Sequence, residues 1–217
     1  MAYPVTVTFD RPEKLSRLTT FFRGFMIIPQ AIVFAFVSIA AYVIYFLSWW
    51  AILFTGNYPQ TFFKFIIWWF RWAVRLGGYI YLITDKYPPF TGDGGVTYPV
   101  KVDVETPGKL SRLTTFLRFP VAPSWSFDPV TGIGKYSWTA SVNGWPMTIP
   151  HSIVLLFLGI AAGIILFLSW WAILFTARYP DAFYNYVTWY FRWTTRVEGY
   201  SVLLTDKYPP FSGAEEV

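Results

Sequence analysis

The chain has 217 residues, of which 55% are hydrophobic, 23% aromatic and only 13% charged, with a net charge of +5. A soluble domain carries about 25% charged residues, and so few charges do not build a water-soluble surface around so much apolar side chain. The absence of cysteine excludes a disulfide framework and thiolate chemistry. The Lys and Arg flank apolar runs, where they suit anionic lipid headgroups rather than nucleic acid.

Taken in order, Met1-Ala2-Tyr3 lacks the basic-then-apolar pattern of a cleavable signal peptide, so insertion is expected to be directed by the first apolar run. Pro4 to Phe9 alternates apolar and polar residues, as does Val100 to Glu105. Both read as short half-exposed strands. A lone strand leaves its backbone unpaired, so the two are expected to pair with each other, or near the Tyr-Pro-Pro-Phe motifs, outside the bilayer. From Asp10 to Arg23, Leu15, Leu18, Phe21 and Phe22 follow helical spacing, with Lys14, Arg17 and Arg23 elsewhere. This reads as a short amphipathic helix on the headgroups or as a plain juxtamembrane basic segment.

Gly24 to Thr55 contains no charged residue, and neither does Ile149 to Thr176 apart from His151. About 20 residues span a hydrocarbon core, so each run is long enough to cross with tilt. Turns at Tyr58-Pro59 and Tyr179-Pro180 lead into second apolar segments that do carry charge. At about 100° per residue, Lys64, Trp68, Arg71, Arg75 and Gly78 fall on one stripe, and Asn185, Trp189, Arg192, Arg196 and Gly199 on its counterpart. These segments read either as transmembrane helices with a polar stripe turned inward or as interfacial helices. Mid-membrane Arg costs at least about 2.5–3.5 kcal/mol, but the stripe is narrow for a surface helix. Two crossings per repeat place both basic Leu-Ser-Arg-Leu segments on one side, as the positive-inside rule prefers; inverted repeats are the alternative. Thr84 to Phe90 and Thr205 to Phe211 end each unit with Tyr-Pro-Pro-Phe, a helix stop suited to pin the chain at the surface.

These pairs belong to one duplication. Tyr3-Pro4-Val5 recurs as Tyr98-Pro99-Val100, Leu15 to Phe21 as Leu110 to Phe116, and Phe46 to Thr55 as Phe167 to Thr176. The units are residues 1–92 and 96–213, joined by Gly92-Asp93-Gly94-Gly95, a linker flexible by composition. The second unit carries an insertion at 119–146 rich in Pro, Gly, Ser and Trp. It reads as a compact extramembrane loop, a β-hairpin with a strand in Lys135 to Val142. As the elaboration that breaks the repeat, it is the expected partner contact, through Trp125, Tyr136, Trp138 and Trp145. The expected architecture is therefore an all-α integral membrane protein of the cytoplasmic membrane, multi-pass: two tandem helical hairpins, four membrane helices, with short strands and a β-rich insertion.

Ile149-Pro150-His151, Ala172 to Pro180, Phe191-Arg192-Trp193 with Arg196 and Gly199-Tyr200, and Asp206 to Phe211 together resemble a prokaryotic membrane family described only as domain of unknown function 4389. Residues 54–59 and the Phe-Arg-Trp and Tyr-Pro-Pro-Phe ends of the first unit are similar to it too. Gln30 stands where the second unit has His151, and Asn57 where it has Arg178. The resemblance implies a bacterial or archaeal membrane protein, and it brings neither an activity nor catalytic residues.

No His-Glu-x-x-His, phosphate loop or cysteine ligand set is present. The single His151 supplies neither a triad nor a zinc or haem site alone, and it reads as a headgroup-level or capping histidine. No cofactor or metal is expected. The expected function is non-enzymatic: an accessory or scaffolding subunit of a larger membrane assembly, in contact with lipids and other membrane subunits. The alternative is an anionic-lipid or anion-binding protein, or small transporter, in which Arg71, Arg75, Arg192 and Arg196 converge near a pseudo-twofold axis. Against it stands pairing of these arginines with backbone carbonyls and Glu198.

Overall fold

A computed structural model describes residues 3–119, 124–127, 134–137 and 147–215. In chain order the elements are β1 (Val5–Phe9), α1 (Arg17–Met26), α2 (Ile28–Thr55), α3 (Gln60–Ile80), β2 (Val100–Val104), α4 (Arg112–Leu117), β3 (Ser124–Phe127), β4 (Gly134–Ser137), α5 (Ile149–Thr176) and α6 (Asp181–Ser201).

The two expected strands do pair with each other. β1 and β2 run antiparallel, with Val5 opposite Val104, Val7 opposite Val102 and Phe9 opposite Val100. Val7 and Val102 are equivalent positions of the two repeats, so the ribbon is self-complementary about that pair, as an isologous contact requires. Val5, Val7, Val100 and Val102 are buried, while alternate residues of the ribbon face out. This half-buried alternation is what the sequence pattern encodes.

The ribbon also exchanges the repeats. β1 packs on α6 and β2 on α3, while α1 packs on α5 and α4 on α2. Each repeat thus lays its N-terminal part on the helical hairpin of the other. Leu15 N–H donates to Ala177 O at 2.9 Å, and Leu110 N–H to Gly56 O at 2.9 Å. These bonds satisfy carbonyls at the ends of α5 and α2, where the helix itself supplies no donor.

α1 begins at Ser16, whose side chain accepts from Thr19 N–H, an ordinary N-cap. α1 and α2 meet at Ile27, with Pro29 in the first turn of α2, a position that tolerates proline because that N–H would be orphaned anyway. The second repeat carries its insertion at this junction. Within it β3 and β4 form an antiparallel hairpin that sets Trp125 opposite Tyr136. Of the expected strand Lys135 to Val142 the described part is 135–137, and the remainder, with Trp138 and Trp145, lies outside the described residues.

Two helices, not four, are long and apolar enough to cross a membrane among the described residues: α2 and α5, of 28 residues each. At about 1.5 Å per residue each exceeds a hydrocarbon core of about 30 Å. α3 carries three charged side chains, and α6 carries charge together with many Tyr, Thr and Trp residues, so neither reaches that length of uncharged apolar helix. They are interior elements: Trp69, Phe70, Trp72 and Tyr79 of α3 and Val187, Trp193, Val197 and Tyr200 of α6 are all buried. The large exposed apolar residues lie instead on α1, α2, α4, α5 and the Tyr-Pro-Pro-Phe ends. Along α2 they recur as Ile28, Ile32, Phe36, Ile39, Val43, Leu47, Trp50 and Phe54, one helical face of about 3.6-residue period.

Candidate functional site

Arginine sits at several joins between these parts. α3 ends with Leu82 in the left-handed region at φ 62°, and Ile83 N–H closes back on Gly78 O at 3.0 Å. Such a termination leaves carbonyls without helical donors and a partial negative charge. Arg23 of α1 supplies both needs. Its Nη1 donates to Tyr79 O and, at 3.0 Å, to Thr84 O, and its Nη2 meets Asp85 at 2.6 Å. Its guanidinium also lies over the Tyr79 ring, 4.4 Å from the centroid, an added cation–π attraction. Arg118 does the same for α6, donating to Tyr200 O and Thr205 O at 2.8 Å each and pairing with Asp206.

Arg23 was expected among the headgroups and is instead buried, as is Arg118. The apolar face of α1, with Leu18, Phe21 and Phe25, is the exposed one. Asp85 and Asp206, expected to pin the chain at the surface, also accept from Ser16 N–H and Ser111 N–H. Burial raises the Asp85 carboxyl above its ordinary range, against the pull of the Ser16 N–H and Arg23. The pair therefore carries a desolvation cost that its hydrogen bonds must offset.

The four stripe arginines lie beside the ribbon and the tails that follow each Tyr-Pro-Pro-Phe. Arg71 Nε donates to Val102 O at 3.3 Å and Arg192 Nε to Val7 O at 3.1 Å. Those two carbonyls belong to the central ribbon pair, so these arginines do reach the pseudo-twofold centre. Arg75 donates to Thr91 O at 2.9 Å and Asp93 O at 2.7 Å. Arg196 donates to Ser212 O at 3.1 Å and Ala214 O at 2.8 Å. The carboxylate that meets Arg192 is Glu215, at 2.9 Å. Lys64 and Asn185, at the far ends of the two stripes, are exposed. The segment expected to be a flexible linker is held in place, because Arg75 straddles Gly92 and Val96 N–H closes on Asp93 O at 3.3 Å.

Gln30 and His151 fill one slot in two ways. Gln30 Oε1 accepts from Trp72 Nε1 at 3.0 Å while its Nε2 donates to Pro88 O at 2.5 Å. His151 Nδ1 accepts from Trp193 Nε1 at 3.1 Å, and its ring stacks on Phe211 with centroids 4.0 Å apart. Accepting at Nδ1 fixes the neutral Nε2–H tautomer. His151 is therefore a buried packing residue, inside the protein rather than at a headgroup. His151→Gln should leave the unfolding midpoint within about 2 °C of the parent, since the other repeat already uses Gln there. His151→Leu strands the Trp193 N–H, a loss of about 1–3 kcal/mol, and should lower the midpoint by several degrees in a thermal melt.

The sequence profile of one family, a domain of unknown function (DUF4389), matches residues 17–92 and again residues 146–213. The chain belongs to this family. Its two DUF4389 segments contain both helix-end clamps' aspartates, all four stripe arginines and the Gln30/His151 slot, and they leave out both ribbon strands, α4 with Arg118, and the insertion hairpin. No curated protein and no solved structure matches the chain. Among the described residues of this DUF4389 chain, no three His, Asp or Glu side chains gather in a way that could hold a metal ion. The clamps themselves are hydrogen-bonded ion pairs at helix ends, a chemistry of holding rather than of bond making. The sequence signal for them was present, since Arg23 and Arg118 are equivalent and Asp85 and Asp206 are equivalent, but nothing in the spacing joined one pair to the other.

Proposed function

We propose that the chain is a non-enzymatic membrane protein, an accessory or scaffolding subunit of a larger membrane assembly. The observation that carries this reading is the use of its buried cations. Arg23, Arg75, Arg118, Arg192 and Arg196 are all buried, and each donates to main-chain carbonyls of this same chain. Arginines spent on internal joins build a rigid frame and leave fewer donors for an anion or a transport cycle. In the bilayer, α2 and α5 face lipid with the apolar stripes described above, and α3 and α6 return beside them, shielded by protein. The β3–β4 hairpin, present in one repeat only, is the contact for another membrane subunit.

The test is purification in mild detergent followed by mass spectrometry of everything retained. A fixed stoichiometry with other membrane subunits, lost on deletion of residues 119–146 while the remaining chain stays monodisperse, is the expected result. A chain that purifies alone under those conditions overturns the proposal.

A further inference from the structure

We infer that a cavity between α1, α5 and the end of α3 binds the carbonyl end of an acyl chain, and that this site belongs to one side of the duplicated frame only. The cavity measures about 330 Å³, at the lower end of ligand pockets, which run from roughly 300 to 1,000 Å³. Ile80, Leu82, Leu166 and Trp170 give it apolar walls, and Thr20 and Arg23 are its polar lining. Thr20 is 1% exposed and Arg23 6%. Thr20 Oγ1 and Arg23 Nε are both buried without a hydrogen-bond partner. Leaving such groups unpaired is costly, so the cavity calls for an acceptor.

The opposite repeat has filled the equivalent space. Leu166 corresponds to Tyr45, and Phe119, the first residue of the insertion beyond α4, lies beside that position. Phe119 packs edge-on against Trp49 with centroids 5.0 Å apart. Tyr45 OH donates to Ser201 O at 2.8 Å, and Leu166 has no hydroxyl to offer the matching Ile80. Arg118 Nε donates to Thr114 O at 3.2 Å, whereas Arg23 Nε is spare. Thr115 Oγ1, the equivalent of Thr20, is unpaired as well, so what sets this side apart is the open space together with the spare Arg23 Nε.

The polar end does not demand a full anion, because Asp85 already faces Arg23 at 2.6 Å. A carbonyl oxygen can accept from both Arg23 Nε–H and the Thr20 hydroxyl, while methylenes lie along Leu166 and Trp170. Phe21 and Phe167 line the cavity and are 55% and 53% exposed, so it opens onto the exposed apolar surface. The carbonyl belongs either to a free fatty acid or to an ester-linked chain of a membrane lipid.

The experiment is native mass spectrometry of the full chain in detergent, titrated separately with dodecanoic acid and with dilauroyl phosphatidylglycerol. Gly24→Phe combined with Leu166→Tyr adds bulk at two lining positions, the second with the side chain that the other repeat carries, and a Cβ at Gly24 meets nothing within 4 Å. The parent should bind one equivalent of a probe, at least tenfold more tightly than the filled variant. Thr20→Val keeps the volume and removes the hydroxyl; several-fold weaker binding is expected, and this variant decides the matter if the filled one does not fold. Binding of dodecanoic acid alone assigns a free fatty acid, and binding of the phospholipid alone an ester-linked chain. No adduct with either probe, or equal binding to parent and variants, overturns the inference.

Discussion

Arg118→Met should lower the unfolding midpoint of the purified protein by on the order of 10 °C, the largest single-residue effect expected outside the glycines treated below. The Arg118 side chain is 0% exposed. It holds Tyr200 O, Thr205 O, Thr114 O and the Asp206 carboxylate at once, and lies 4.3 Å from the centroid of the Tyr200 ring. Removing it strands the carbonyls it holds, at about 1–3 kcal/mol each where they stay unpaired, and leaves the part-buried Asp206 carboxylate without its cation. For a chain of this size each kcal/mol moves the midpoint by about 2–4 °C. Arg118→Lys should fall between parent and Met variant, because a point charge does not serve three carbonyl directions as the planar fork does. Adding Asp206→Asn to the Met variant should recover part of the loss by removing the stranded carboxylate. Arg17→Met is the control: Arg17 is exposed and donates only to Phe175 O, at 2.9 Å, so its midpoint should move by a degree or two. A shift for Arg118→Met no larger than that of Arg17→Met would falsify the clamp.

How far the sequence reaches is clearest in α1. The spacing of Leu15, Leu18, Phe21 and Phe22 revealed a helix with two unlike faces, and Arg17 to Met26 is that helix, except that Leu15 precedes it and is buried. The pattern gave the direction of the faces but not what each one meets. In water the apolar side turns inward; beside lipid it turns outward, and the charged residue on the other face must then enter the protein and find partners. Arg23 does so. The same ambiguity hid the role of α3 and α6, whose arginines look costly at membrane depth until the ribbon and the tails are seen to take their donors.

The duplication was legible because identical letters recur, and with it the two strands, though their pairing with each other was one of two alternatives until the fold decided it. The exchange of partners was not. Sequence similarity says that two units are alike; it does not say whether α1 lies on its own α2 or on α5. Only long-range contacts decide that, such as Trp170 Nε1 donating to Thr20 O at 3.1 Å and its equivalent from Trp49 to Thr115 O at 2.7 Å. The cavity was likewise out of reach. Arg23 and Leu166 are far apart in the chain, and they matter only because the fold sets them around one space, at a place where the other repeat has Tyr45 instead of Leu166.

Gly92→Ala should destabilise the protein by about 3 kcal/mol or more, and Gly95→Ala, three residues on, should not destabilise it at all. A Cβ at Gly92 would fall onto the Trp68 carbonyl, and one at the equivalent Gly213 onto the Trp189 carbonyl. These neighbours are helix backbone, which does not swing aside as a side chain does. The tail must lift, and the bonds from Arg75 to Thr91 O and Asp93 O, on either side of Gly92, must lengthen with it. Overpacking alone costs about 1–3 kcal/mol, and each hydrogen bond to a charged group adds about 1.5–3. A Cβ at Gly95 meets nothing within 4 Å, and there the smaller conformational freedom of Ala in the unfolded chain favours folding by up to about 1 kcal/mol. If residues 92–95 were a loose tether, both alanines would act through the unfolded state and both would be neutral or mildly stabilising. Thermal melts of the two variants separate the cases, since a clamped segment splits them by roughly 10 °C and a free linker leaves them together. Gly213→Ala repeats the test on the second copy, where Arg196 straddles the glycine in the same way, and its loss should match that of Gly92→Ala in direction.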